Sequence, residues 1–205
     1  MANVLLGATG SVAAVRVPVL FEQLTARGHV VKIVATKPAT YFFDPAPLRD
    51  HLTLEADEWP GQRWIRGDEV RHIELRRWAD VFVIAPLDAN TLAKLAGGLS
   101  DNCLTCVWRA WDRARPVVLA PAMNTLMWEH PLTSRHLRQL AEDAEGAPPP
   151  GQDLAGLVDW INAHCPRLAV APPQSKRLAC DDVGVGAMAS LETVVAAVDR
   201  LLTAP

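Results

Sequence analysis

A chain of 205 residues is long enough to bury a full core and is expected to do so as a single domain over 1–205. Half of its residues are hydrophobic and 21% are charged, the profile of a compact soluble protein, and a net charge of −3 without a basic cluster argues against nucleic acid as a partner. Met1-Ala2-Asn3 leads straight into the strand-like VLLGA, and no apolar run approaches the ~20 residues of a membrane span, so no membrane partner and a cytoplasmic location are expected. Cys103, Cys106, Cys165 and Cys180 are too few for a disulfide framework in a protein of this size and read as thiols.

In chain order, Asn3 to Ala8 predicts a first strand. Gly7-Ala8-Thr9-Gly10-Ser11 then opens a helix whose apolar positions Val12, Val15, Val19 and Leu20 recur at helical spacing. Gly10 would let backbone approach an anion, helix N–H groups would point at it, and the Ser11 hydroxyl would add a donor. The pattern is not GxGxxG and carries no Walker lysine, which disfavours a dinucleotide or nucleoside triphosphate. A mononucleotide phosphate and an ordinary tight βα turn both remain open.

Gly28 closes this helix, and Val30 to Ala35 form the second strand of a βαβ unit that ends at Thr36-Lys37. Pro38 to Val70, with four prolines and the acidic Asp57-Glu58-Trp59, reads as loop with short helical or strand pieces. A strand over Val81 to Ala85 carries Asp88, Asn90 and Thr91 at its end, good N-capping types, ahead of a helix running into Gly97-Gly98. DNCLTCVWRAWD, from Asp101 to Asp112, reads as a mostly buried helix; its CxxC has no second cysteine pair beside it, so both thiols are taken as core and no metal site is expected.

Val117 to Ala120 are fit for a central buried strand, and the turn Pro121-Ala122-Met123-Asn124 puts one amide at its tip. Asn124 either caps the next helix or grips a substrate carboxylate or amide. Helices over Thr133 to Glu142, after Asp153, and over Leu191 to Leu202 complete the chain, with Arg167 to Ala171 as the last sheet strand. The intervening segment from Pro172 to Ser190 reads as a flexible flap. In a parallel sheet the tips at Ser11, Asn90 and Asn124 would converge on one crevice at the carboxyl ends of the strands.

The chain resembles the flavin-dependent cysteine decarboxylases over nearly its whole length. The resemblance is carried by Gly10-Ser11-Val12-Ala13-Ala14, HIELRRWAD from His72, APLDANTLAKLAGGLSDN from Ala85, RAWD from Arg109, APAMNTLMW from Ala120, KRLAC ending at Cys180, and GAMA from Gly186. It implies an α/β, three-layer flavodoxin-like (Rossmann-like) parallel sheet, assembled as a homotrimer or a multiple of trimers, with FMN near a subunit interface. By the same resemblance the FMN phosphate lies at Gly10, Ser11 and Val12 with Thr36 nearby, and further flavin contacts come from Asp88, Ala89, Asn90, Thr91 and Ala122. His72 is then the catalytic histidine, Asn124 binds the substrate carboxylate, Met127 lines that pocket, and Cys180 donates the proton of the last step.

The activity implied is decarboxylation of a cysteine carboxylate, first of all 4'-phosphopantothenoylcysteine to 4'-phosphopantetheine in coenzyme A biosynthesis. The alternative substrate is a peptide ending in cysteine, converted to an enethiol. The family's flap cysteine is usually followed by glycine, whereas Asp181 follows here and adds a charge beside the thiol.

Overall fold

The computed structural model describes residues 1–59, 61, 63, 65–177 and 183–203. Its centre is a six-stranded parallel sheet: β1 (Asn3–Ala8), β2 (Val30–Ala35), β3 (Leu52–Thr53), β4 (Val81–Leu87), β5 (Val117–Pro121) and β6 (Leu168–Val170) lie in the order β3-β2-β1-β4-β5-β6. Every residue of β4 and of β5 is buried. A parallel strand covered on both faces needs a continuous apolar run, and VFVIAPL and VVLAP supply one each. The strand order reverses direction between β1 and β4, which opens the crevice where α/β sheets hold ligands.

Helices cover both faces. On one side, α1 (Val17–Ala26) and α8 (Leu191–Thr203) bury Val17, Leu20, Leu24, Val194, Val195, Val198 and Leu201 against Leu6, Ile33 and Val83. On the other lie α2 (Arg71–Trp78), α3 (Ala89–Gly97), α4 (Cys103–Arg109), α6 (Pro131–Asp143) and α7 (Leu154–His164), packed around Phe82, Ile84 and Leu119. Phe82 is fully buried, and its loss to alanine would cost about 3–5 kcal/mol. Local chemistry sets the helix starts: Asp88, Asn102 and Asp153 each accept a backbone N–H of the first turn of α3, α4 and α7. Gly28, at φ 83°, provides the left-handed residue that turns α1 into β2.

Two features differ from the sequence expectation. The first helix does not begin at Val12 as an α-helix. Residues Val12–Arg16 form a 3-10 turn, and α1 starts only at Val17. The buried face is Ala14, Val17, Leu20 and Leu24, while Val12, Val15 and Val19 are about half exposed. Their helical spacing is real, but it marks a face that this chain does not cover. The segment from Pro172 to Ser190 contains an antiparallel pair of β7 (Gln174–Arg177) and β8 (Val183–Ala187), and Cys180 and Asp181 lie outside the described residues.

Candidate active site

Three adjacent strands, β1, β4 and β5, end at one side of the sheet, and their loops are stitched together by a residue the sequence analysis left without a role. The Thr9 hydroxyl, fully buried, donates to the Pro86 carbonyl at 2.8 Å and accepts the Asp88 N–H at 2.7 Å. One side chain thereby fixes the end of β1 against the end of β4. The Ala122 N–H donates to the Leu87 carbonyl at 2.9 Å and locks the β5 loop to the same place. Ser11, Asn90 and Asn124 therefore do lie at three neighbouring strand ends.

The loop after β1 is a cradle without room for a side chain. A Cβ on Gly10 would come within 2.6 Å of the Pro38 ring and 3.2 Å of Asp88 Oδ2. Ser11 Oγ accepts the Ala13 N–H at 3.4 Å, a long capping bond. Thr36, at the end of β2, has a buried hydroxyl with no hydrogen-bond partner among the described residues. A buried hydroxyl without a partner costs free energy that a bound polar group would return. On the other rim, Asp88 Oδ1 accepts the Thr91 N–H at 2.6 Å, so Oδ2 is the oxygen turned towards Gly10. Thr91 is buried and Asn90 is exposed at the start of α3. A glycine cradle, an unsatisfied threonine and an acceptor carboxylate match a ligand that carries both a phosphate and hydroxyls. FMN has both.

The turn after β5 gives Asn124 the capping role that one of its two sequence readings assigned to it. Asn124 caps the short helix α5 (Thr125–Trp128), its Oδ1 accepting the Leu126 N–H at 2.8 Å, and this fixes the carboxamide at the crevice. Trp128 anchors α5 in the core, while Leu126 and Met127 project outwards with 74% and 49% exposure. Strand β8 lies directly over this turn: the Met123 N–H donates to the Gly186 carbonyl at 3.0 Å. The approach is possible only because β8 has glycines there. A Cβ on Gly184 would lie 2.6 Å from Thr125 Oγ1, and one on Gly186, at φ 153°, would lie 2.2 Å from the Met123 carbonyl oxygen.

His72 lies in the first turn of α2, beside Glu58 and Cys106. Its Nδ1 is 3.8 Å from Glu58 Oε1, and Cys106 of α4 completes a trio whose polar atoms all fall within 4.8 Å. Burial, with Arg76 one turn along the helix, holds the imidazole below the usual histidine range. Burial also pushes the Glu58 carboxyl up, with Glu55 adding to it. Cys106 is therefore not a plain core residue as expected. Cys103 is, and burial pushes its thiol up to about 12. Among helices and strands, α2 packs most closely on α4, and α5 on β8.

The profile of the family described as Flavoprotein matches residues 1–203. Phosphopantothenoylcysteine decarboxylase of Mus musculus is 45% identical over 203 residues, covering 98% of this chain and 87% of the mouse protein. Among solved structures, a cysteine-to-serine mutant of PPC decarboxylase complexed with pantothenoylaminoethenethiol is 45% identical, covers 98% of both chains and superposes with a TM-score of 0.80. The FMN binding protein AtHal3 is 46% identical with a TM-score of 0.76, over 98% of this chain and 96% of its own. Identity of 45% over nearly the whole chain, on the same α/β fold, makes the chain a member of the flavoprotein family, among its flavin-dependent cysteine decarboxylases.

Proposed function

We propose that this chain, with FMN bound, decarboxylates 4'-phosphopantothenoylcysteine to 4'-phosphopantetheine, a step of coenzyme A biosynthesis. The observation that carries this reading is the Asn124 turn. A carboxamide fixed by its own helix cap stands at the same end of the sheet as a glycine cradle, with one strand between them, and beneath a strand that only glycines let approach. In the cradle, Gly10, Ser11 and Val12 would receive the FMN phosphate, with the Thr36 hydroxyl as a donor to it. Asp88 Oδ2 suits ribityl hydroxyls, because a carboxylate repels a phosphate and accepts from an alcohol. Ala89, Asn90, Thr91 and Ala122 form the wall on the β4 and β5 side.

FMN supplies the two-electron sink that turns the sulfur-bearing carbon of the substrate into a thioaldehyde, from which loss of carbon dioxide leaves an enethiol. The protein's share is orientation and proton handling. Asn124 binds the substrate carboxylate and sets the bond to be broken in line with the developing π system. Met127, exposed at the mouth, packs against the substrate's chain. His72 accepts the thiol proton; burial and Arg76 keep the imidazole neutral, as that base must be at physiological pH. Cys180, outside the described residues, donates the proton that accompanies the hydride the reduced cofactor would return, so that the enethiol becomes phosphopantetheine. An aspartate at 181 is the residue whose charge would tune that thiol.

The assembly is a homotrimer or a multiple of trimers. Two observations support a second copy at the site. The half-exposed Val12, Val15 and Val19 adjoin the cradle, and Leu126 and Met127 extend the apolar surface on the β5 side. His72 lies by Glu58 and Cys106 against α4, whereas Asn124 caps α5 beneath β8, and a neighbouring copy would bring an imidazole to the carboxamide. A cytoplasmic location fits the free thiols of Cys103, Cys106 and Cys165, and no described helix is long and apolar enough to cross a membrane. Stopped-flow absorbance tests the cofactor's part: mixing with phosphopantothenoylcysteine should bleach and then restore the flavin spectrum. A flavin spectrum untouched by substrate would overturn the reading.

A further inference from the structure

We propose that Glu58 is a positioning residue for His72: its carboxylate accepts a hydrogen bond from Nδ1–H and leaves Nε2 as the nitrogen that exchanges a proton with the substrate thiol. This rests on the reading of His72 as the base. Glu58 follows the 3-10 turn Glu55–Asp57, and its side chain is only 8% exposed. A buried carboxyl of this kind needs a reason, because it costs stability unless a partner offsets the desolvation. Its partner is at hand. His72 Nδ1 is buried with no hydrogen bond among the described residues, and Glu58 Oε1 stands 3.8 Å away. That distance is beyond a hydrogen bond but within reach of one after a side-chain shift of about 1 Å, as is common in sites without substrate.

Among the described residues, the groups facing His72 are few. Glu58 approaches from the loop before α2, Cys106 from α4, and Arg76 from the next turn of α2. Burial and Arg76 favour the neutral ring, and a carboxylate 3.8 Å from Nδ1 would favour the imidazolium once a proton arrives. The thiol of Cys106 donates to the Ser100 carbonyl at 3.5 Å, and its sulfur lies within 4.8 Å of both the carboxylate and the ring. In the step itself the S–H bond of the substrate breaks, the proton moves to Nε2, and the positive charge formed is shared through Nδ1–H with Glu58. Orientation by a third group is the arrangement by which a base is held in one tautomer.

The FMN-loaded full chain, labelled with 15N histidine, reports this directly. In the wild-type protein the neutral His72 ring should carry its proton on Nδ1. In Glu58→Gln the ring should titrate about one pH unit lower, with the acid limb of kcat/KM moving by the same amount. The same variant should lose about tenfold or more in kcat with little change in KM. Its thermal midpoint at neutral pH should not fall, because a buried ionisable group has been removed; a purely structural Glu58 would lower it and leave the acid limb in place. A proton on Nε2 in the wild-type protein, or an unshifted titration in Glu58→Gln, overturns the proposal. His72→Asn separates the two failures. If that variant turns over normally, the reading of His72 itself is wrong; if it is inactive while Glu58→Gln matches wild type, only the role of Glu58 is.

Discussion

Replacing Thr9 by valine keeps the β-branched shape and removes a single hydroxyl, so the perturbation is chemical and leaves no cavity. The hydroxyl is fully buried and makes two bonds across the β1–β4 seam, to the Pro86 carbonyl at 2.8 Å and from the Asp88 N–H at 2.7 Å. The two losses are unequal. The Pro86 carbonyl still receives the Thr9 N–H at 3.3 Å, whereas the Asp88 N–H is left with a methyl group where its acceptor was. An orphaned buried donor costs about 1–3 kcal/mol and the lost bond to the carbonyl about 0.5–1.5, so Thr9→Val should destabilise by roughly 2–4 kcal/mol. In a chain of this size each kcal/mol lowers the midpoint by about 2–4 °C, and even the low end is therefore a fall of roughly 4–8 °C. Differential scanning fluorimetry at fixed protein and FMN concentrations reads it, since binding and assembly both shift the midpoint. Asp88 lines the cradle, so FMN should also bind more weakly by flavin fluorescence, and Thr9→Ser, which restores the hydroxyl, should recover most of both losses. A Thr9→Val protein within about 1 °C of wild type and with unchanged FMN affinity would refute the seam as the element that builds the cradle.

Gly186→Ala puts a methyl 2.2 Å from the Met123 carbonyl oxygen and must lift β8 from the Asn124 turn; KM should rise about tenfold, near 1.4 kcal/mol, with FMN still bound, and steady-state kinetics beside the flavin spectrum check both. His72→Asn should abolish release of carbon dioxide while the protein stays yellow, as measured by trapping labelled carbon dioxide. Because burial and Arg76 hold His72 below the usual histidine range, the base stays unprotonated further into acid, and the acid limb of kcat/KM should fall below pH ~6.5. Alkylation at pH 8 followed by peptide mass spectrometry should leave Cys103 unmodified, since its thiol is pushed up to about 12, and Cys106 and Cys165, also raised by burial, should react slowly. Cys180→Ser should accumulate enethiol, and an unchanged yield of phosphopantetheine would remove Cys180 from the last step.

The sheet was legible because interior parallel strands must be apolar on both faces, and runs such as VFVIA and VVLA have few other uses. The polar tips were legible for a related reason: Asp88 and Asn124 are capping residues, and a cap after a strand falls at the crevice by topology alone. What escaped depends on contacts distant in sequence. Thr9 matters through Asp88, 79 residues on, and nothing local distinguishes its hydroxyl from that of any threonine in a glycine turn. Glu58 stands in a proline-rich segment without periodicity, and its partner in α2 is set by tertiary packing. The glycines of β8 look like flexibility in the sequence, whereas in the fold they permit close docking on the Asn124 turn. Val12, Val15 and Val19 misled in the opposite direction, since spacing reveals an apolar face without saying which molecule covers it.

The most direct test of the account is mass spectrometry of the products when the purified yellow protein meets phosphopantothenoylcysteine and, separately, a short peptide ending in cysteine. Phosphopantothenoylcysteine lighter by carbon dioxide alone, with the peptide left intact, is the result predicted. Preferential conversion of the peptide, with loss of carbon dioxide and two hydrogens, would contradict the assignment to coenzyme A biosynthesis.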